Sequence, residues 1–308
     1  MSQHFLAHKM MDLTLEATLA GHQNPIYTLA VDQENNLLYS AGNDKGIVEW
    51  DLETMQFKRV LCSIPSSVYA LQLIPKTDLL AASLRSGGIY IIRRTDPALV
   101  AKLTVEQGAV FAIRVIAEKN EFIAVNESGQ AFVWSLANFE LLYTFKISNT
   151  TVRTVAYDLS HHILAFGDKN GYIFLYQASD YQMLYSRKVH EQTVSSLAFV
   201  GDTLISGGRD AKMKKLSLSN LAVVAEIVPH MFTVYAIVDL KDQNHFATVS
   251  RDKTIKIWNK DFKLVKNVSR DKGIDSHHLS INTAVYQLKS GLLCTAGDDK
   301  MVKIWKIS

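Results

Sequence analysis

The segment GHQNPIYTLAVDQENNLLYSAGNDKGIVEWD, residues 21–51, decides how this chain folds. Three short apolar runs, Ile26–Val31, Leu37–Gly42 and Gly46–Trp50, alternate with polar turns at Asp32–Asn36 and Asn43–Gly46, and Met55–Leu61 follows as a fourth. Runs this short, bounded by Asn, Asp and Gly, read as strands joined by tight turns. The same pattern then returns. Ile26, Val68, Val110, Val152 and Val194 are each 42 residues apart, and Val234 and Ile281 continue the column at steps of 40 and 47. A parallel column runs through Trp50, Ile92, Trp134, Tyr176, Leu216, Trp258 and Trp305.

A period of this length means one supersecondary unit stacked on copies of itself, because each unit alone cannot bury its apolar face. Four strands per unit, repeated seven times, specify an all-β, seven-bladed β-propeller. Turn chemistry recurs in the later units at Lys76–Asp78 and Asp168–Gly171. The fifth unit is two residues shorter, which assigns a tight hairpin at Gly201-Asp202. The last unit ends at Ser308 with three strands, and Leu13–Leu19 supplies the fourth from the other end of the chain. Such closure protects the seam of the ring. The expected organisation is a lead-in over residues 1–12 and a single propeller over 13–308, with 13–19 completing blade seven.

Composition agrees with an ordinary globular protein: 48% hydrophobic, 20% charged, and a formal net charge of +3. That charge is too small to argue for nucleic acid or an anionic membrane. No signal peptide or run of 18 apolar residues occurs, so no membrane association is expected. Cys62 and Cys294 have neither metal-ligand nor disulfide-framework spacing, which favours a reducing, cytoplasmic setting. His161-His162 and the His277-His278 pair lack carboxylates at metal spacing. No Gly-rich loop opens a helix to cradle a phosphate, and Gly87-Gly88 and Gly207-Gly208 read as parts of turns. Neither metal nor cofactor is expected.

Gly21-His22, with Trp50-Asp51 beginning 28 residues on from the His, resembles the WD40 repeat family. The resemblance covers nearly the whole chain. In that family a loop His, a Ser or Thr on the second strand, an Asp in the next turn and the Trp form a hydrogen-bonded tetrad. It implies four sets here. His22, Ser40, Asp44 and Trp50 form the first; His230, Thr248, Asp252 and Trp258 the sixth; His277, Thr295, Asp299 and Trp305 the seventh. The fifth has His190, Ser206 and Asp210, with Leu216 in place of the Trp. Recurring His, Ser and Asp suggest a hydrolase triad, but a triad is needed once and requires an exposed nucleophile beside an oxyanion hole. A set repeated in register with a core Trp satisfies buried polar groups instead. Blades two to four carry Ser86, Ser128 and Asn170 at the Asp position and Ala82, Ala124 and Phe166 at the Ser/Thr position, so apolar packing is expected there.

The resemblance also implies a top face at the mouth of the central channel, where peptides dock. One residue past each member of the Val column stand Tyr27, Tyr69, Phe111, Arg153, Ser195, Tyr235 and Asn282. Aromatics and Arg are the types enriched at binding hot spots, although aromatic rings in strands also serve as core. Before the tetrad Asp stand Asn43, Arg85, Glu127, Lys169, Arg209, Arg251 and Asp298. The basic members Arg85, Lys169, Arg209 and Arg251 suit an acidic or phosphorylated peptide, while charged turn residues are also ordinary solvated surface. A five-residue insertion within Ser269–Ser276 breaks the period on the same face. The expected function is a non-catalytic scaffold that binds a protein loop or peptide, acting as a monomeric propeller within a complex. Two alternatives remain: an architectural subunit using blade edges such as Leu141–Phe145 or Leu221–Val224, and an enzyme with Glu127 and Asp298 at the channel mouth.

Overall fold

The computed structural model describes residues 11–105 and 108–308. Apart from Met11 and Asp12, the expected lead-in lies outside the described residues. The rest forms seven antiparallel four-stranded sheets around a channel. Blade one comprises Ile26–Asp32, Leu37–Gly42, Gly46–Asp51 and Gln56–Ser63 in simple meander order. Five further blades repeat that order. In the seventh, Leu13–Ala20 pairs outside Met301–Ile307, with Leu13 opposite Ile307 and Leu19 opposite Val302. The seam is therefore closed by hydrogen bonds, and no inner strand edge is left open there.

Core residues divide into seven clusters, each shared by two neighbouring blades. Leu38, Val48 and Trp50 of blade one pack on Cys294, Val302 and Ile304 of blade seven, for example. Because both faces of every sheet are covered, second strands such as Glu121–Asn126 and Leu292–Gly297 are buried at every position. That is why they read as continuous apolar runs without polar alternation. Outer strands such as Met183–Lys188 are exposed throughout.

The short fifth unit has the expected hairpin: Val200 pairs with Thr203 across Gly201-Asp202, with Gly201 at φ 57°. Gly87 and Gly88 occupy a turn, both at φ 88°. Gly207 and Gly208 do not; they end the strand Thr203–Gly208. A Cβ on Gly208 would lie 2.4 Å from His190 Nδ1, so close packing on the tetrad explains this glycine.

The 269–276 insertion folds into a short 3-10 turn, Arg270–Lys272, and then bends down onto blade seven. There Lys303, nearly fully buried, donates to the Asp275 carbonyl at 2.8 Å, the Asp275 carboxylate at 3.1 Å and Thr18 Oγ1 at 3.0 Å. The insertion thus partners a buried charge that also reaches the closing strand through Thr18. No helix among the described residues is long and apolar enough to cross a membrane. Cys62 and Cys294 are free thiols, and burial pushes them up to about 11 and about 12.

Candidate functional site

Each tetrad ties a loop, a turn and a strand together at one end of its blade. In blade one, His22 Nδ1 lies 2.7 Å from Asp44, His22 Nε2 lies 2.7 Å from Ser40 Oγ, and Trp50 Nε1 donates to the same hydroxyl at 2.7 Å. Blades six and seven repeat the arrangement through Thr248 and Thr295, with Trp258 and Trp305 each donating at 2.9 Å. In blade five His190 reaches Ser206 at 2.8 Å, and Leu216 offers no donor. The Asp accepts at Nδ1, so the neutral tautomer carries its proton there and Nε2 accepts from the hydroxyl. Every one of these hydroxyls is fully buried and engaged. None is an accessible nucleophile.

Each Asp also grips backbone on both sides. Asp252 accepts from Met231 N–H and Thr254 N–H, both at 3.0 Å, and Asp44, Asp210 and Asp299 do the same in their blades. Burial works to raise these carboxyls, but the facing His and the backbone N–H groups outweigh it and hold all four below the ordinary carboxylate value. Held this way, the next residue is left-handed without being glycine: Lys45, Ala211, Lys253 and Lys300 have φ between 63° and 71°. In blades two to four, which lack the Asp, the same position is Gly87, Gly129 or Gly171.

Blades three and four are not purely apolar at this point. A polar side chain two positions earlier takes over the turn. Asn126 accepts from Gln130 N–H at 2.9 Å, and Asp168 accepts from Asn170 and Tyr172 N–H, each at 2.9 Å, and from Ser148 Oγ at 2.7 Å. Both are buried. The signal was present at the end of the second strand, displaced by two residues from the column where the repeat places the Asp.

The column past the Val positions has one structural cause. In all seven blades the inner strand carries a β-bulge, and the residue omitted from the pairing is Tyr27, Tyr69, Phe111, Arg153, Ser195, Tyr235 or Asn282. A bulge re-aims the side chain of its extra residue. Here all seven turn into one open cavity of about 490 Å3 at the channel mouth, lined also by Thr193, Arg209, Thr233, Arg251 and Asp298.

Four of the seven form a continuous row of ring contacts. Tyr27 and Tyr69 have ring centroids 5.7 Å apart, Tyr69 and Phe111 are stacked at 5.1 Å, and the Arg153 guanidinium lies 4.1 Å over Phe111. Tyr27, Tyr69, Phe111 and Tyr235 are half-buried, outside the fully buried core. Burial and the neighbouring Tyr69 and Asp298 raise the Tyr27 phenol, so it stays protonated at neutral pH. Arg153 is open to solvent yet crowded by protein atoms; that crowding, aided by Arg209, depresses its guanidinium without removing its charge. The small residues have other work. Ser195 Oγ donates to Val234 O at 2.7 Å, and Asn282 Nδ2 donates to Ile26 O at 2.9 Å and Asp298 at 2.8 Å, joining adjacent blades.

The second column divides. In every blade its backbone N–H donates to the carbonyl before the inner strand, as Arg85 does to Ser67 and Arg209 to Thr193. Arg209 and Arg251 line the mouth; Arg85 and Lys169 do not. Lys169 lines a neighbouring groove between blades four and five with Lys188 and Glu191, and this groove shares Arg209 and Thr193 with the mouth. Glu127 lies near the Ala109 N–H, and Asp298 is tied to Asn282, so the two carboxylates do not converge on a common point. No cluster of His, Cys, Asp or Glu suited to a metal occurs among the described residues.

Comparison with known proteins agrees with the repeat architecture. The family model described as "WD domain, G-beta repeat" matches residues 13–51, 222–259 and 271–306. The model described as "Anaphase-promoting complex subunit 4 WD40 domain" matches residues 71–202. Human kinesin-like protein KIF21B is 24% identical over 317 aligned residues, covering 92% of this chain and 19% of the relative. Rat transducin beta-like protein 3 is 24% identical over 91 residues, covering 30% of this chain and 11% of its own length; the human protein is 28% identical over 87, covering 28% and 11%. The chain thus spans only a small part of the curated relatives it matches. With matches on both sides of the ring, tetrads in blades one, six and seven, and seven closed blades, this chain belongs to the WD40 repeat family.

Proposed function

We propose that this propeller is a non-catalytic interaction platform, with a loop or peptide of a protein partner docking on the channel mouth. The carrying observation is the row Tyr27–Tyr69–Phe111–Arg153, aimed by bulges into one open cavity that Tyr235 also lines. Rigid strands hold these side chains in place, so binding orders little on the protein side. The matched WD40 domain of an anaphase-promoting complex subunit fits a role within a protein assembly. Two free thiols, Cys294 buried and Cys62 partly so, fit a reducing, cytoplasmic setting.

A second reading has its own observation. Leu141, Leu142 and Tyr143 on one outer strand, and Met183, Leu184 and Tyr185 on the next blade's, are all exposed, and each strand has one free edge. An architectural subunit would bury that surface. Affinity capture from native cells separates the two. Phe111→Ala with Tyr235→Ala should abolish capture with melting unchanged. Capture that survives this pair but fails for Leu142→Lys with Leu184→Lys assigns the blade edges instead, and melting that collapses with the first pair places those rings in the core.

A further inference from the structure

The loops after the tetrad histidines differ in chemistry. His22 and His190 are followed by Gln23-Asn24 and Glu191-Gln192, whereas His230 is followed by Met231-Phe232 and His277 by His278-Leu279. Asp252 fixes the Met231 backbone through its N–H at 3.0 Å, and Asp299 holds that of His278 at 3.2 Å. On these anchored loops Met231 is 78% exposed, Phe232 50% and Leu279 42%. Large apolar side chains held in water by a rigid backbone form a preorganised anchor. The Phe232 ring lies 5.7 Å from the Arg251 guanidinium, and Thr233 and Tyr235, on the same segment, line the mouth. Shelf and mouth are one surface.

The mouth is also unbalanced in charge. Arg153, Arg209 and Arg251 line it, and Arg85 acts on Tyr27 beside it. Against these four stand two carboxylates, Asp298, which already accepts from Asn282, and Glu127, which acts on Arg153, so four less two leaves about +2. Arg153 and Arg209 are near enough to repel, and among the described residues neither Arg209 nor Arg251 has an ion-pair partner. One carboxylate would neutralise half of this charge. A phosphate ester, at about −1.5 to −2, neutralises nearly all of it, and guanidinium groups fork onto its oxygens.

We infer that the docked segment is phosphorylated, its phosphate lying between Arg209 and Arg251 and a neighbouring bulky apolar side chain resting on Met231 and Phe232. This rests on the channel mouth being the docking face. The test is a peptide array with a central phosphoserine or phosphothreonine between randomised positions, beside unphosphorylated and glutamate-substituted copies, probed with the full chain. Phosphorylated peptides should bind selectively and show Leu, Ile, Met or Phe enriched at one flanking position. Arg209→Gln with Arg251→Gln should weaken binding about tenfold or more and flatten its salt dependence. Met231→Ser with Phe232→Ser should erase the flanking preference and leave the phosphate requirement. Equal binding of phosphorylated and unphosphorylated copies, including none of either, overturns the inference. So does normal capture of the native partner by the Arg209/Arg251 variant; if Phe111→Ala with Tyr235→Ala still abolishes that capture, the docking face stands without the phosphate.

Discussion

Removing one buried hydroxyl should cost more in blade one than in blade five, and the structure says why. Ser40 Oγ accepts from Trp50 Nε1 at 2.7 Å and meets His22 Nε2 at 2.7 Å, whereas Ser206 Oγ meets His190 Nε2 at 2.8 Å with Leu216 where the Trp would be. Both hydroxyls are fully buried. Ser40→Ala therefore strands two buried polar groups and Ser206→Ala one. Each orphan costs about 1–3 kcal/mol, which gives roughly 2–6 kcal/mol for Ser40→Ala and about 1–3 for Ser206→Ala. The substitution is the same in both blades, so the lost hydroxyl volume largely cancels in the comparison. Equilibrium urea unfolding followed by far-UV circular dichroism reads the difference. At an m-value of about 3 kcal/mol/M, the Ser40→Ala midpoint should lie roughly 0.3–1 M below that of Ser206→Ala. Equal midpoints, or a lower one for Ser206→Ala, would refute the view that the Trp donor makes a tetrad stabilising. A changed m-value would mean that blades unfold separately and the comparison must be made blade by blade.

Stability should also fall in acid through two windows. Burial, outweighing the pull of Asp252, holds His230 below its ordinary 6.5, so the unfolded chain binds that proton first and stability declines as pH drops below about 6.5. The tetrad carboxyls are depressed, so their contribution is complete above about pH 4 and is lost as pH falls toward their folded values. Asp32 follows the same rule: burial opposes its charge, but Asn35 and Arg94 hold it at about 2. Urea midpoints across this range should drop in two stages, and His230→Gln should flatten the first; an unaltered slope in that variant removes His230 as the cause. At the turns, Gly171 has φ 88° and its added Cβ would lie 1.9 Å from the His190 carbonyl oxygen, while Gly46 has nothing within 4 Å. Gly171→Ala should lose at least about 1–2 kcal/mol from backbone conformation alone, and Gly46→Ala should stay within about 0.5 kcal/mol. The same unfolding assay checks both, and equal losses would contradict the assignment.

The blade count, the closing strand, the three tetrads and the incomplete set of blade five were legible in the chain because each is local or strictly periodic. A His, Ser, Asp and Trp within one repeat are joined by strand register, and register follows from spacing. The regular 42-residue interval also placed Tyr27, Tyr69, Phe111 and Arg153 at equivalent positions of four successive blades. Spacing says nothing about which way a side chain points when a strand leaves its alternation. Tertiary structure decided that: seven bulges turn this column into the mouth, where Ser195 and Asn282 join neighbouring blades and the aromatics stay accessible. It likewise showed Asn126 and Asp168 replacing a missing Asp from two positions away, and Met231 and Phe232 standing in solvent beside Arg251. Exposure and charge balance at the mouth are sums over side chains from all seven blades. Only ring closure brings those residues, 40 to 47 positions apart from blade to blade, into one place.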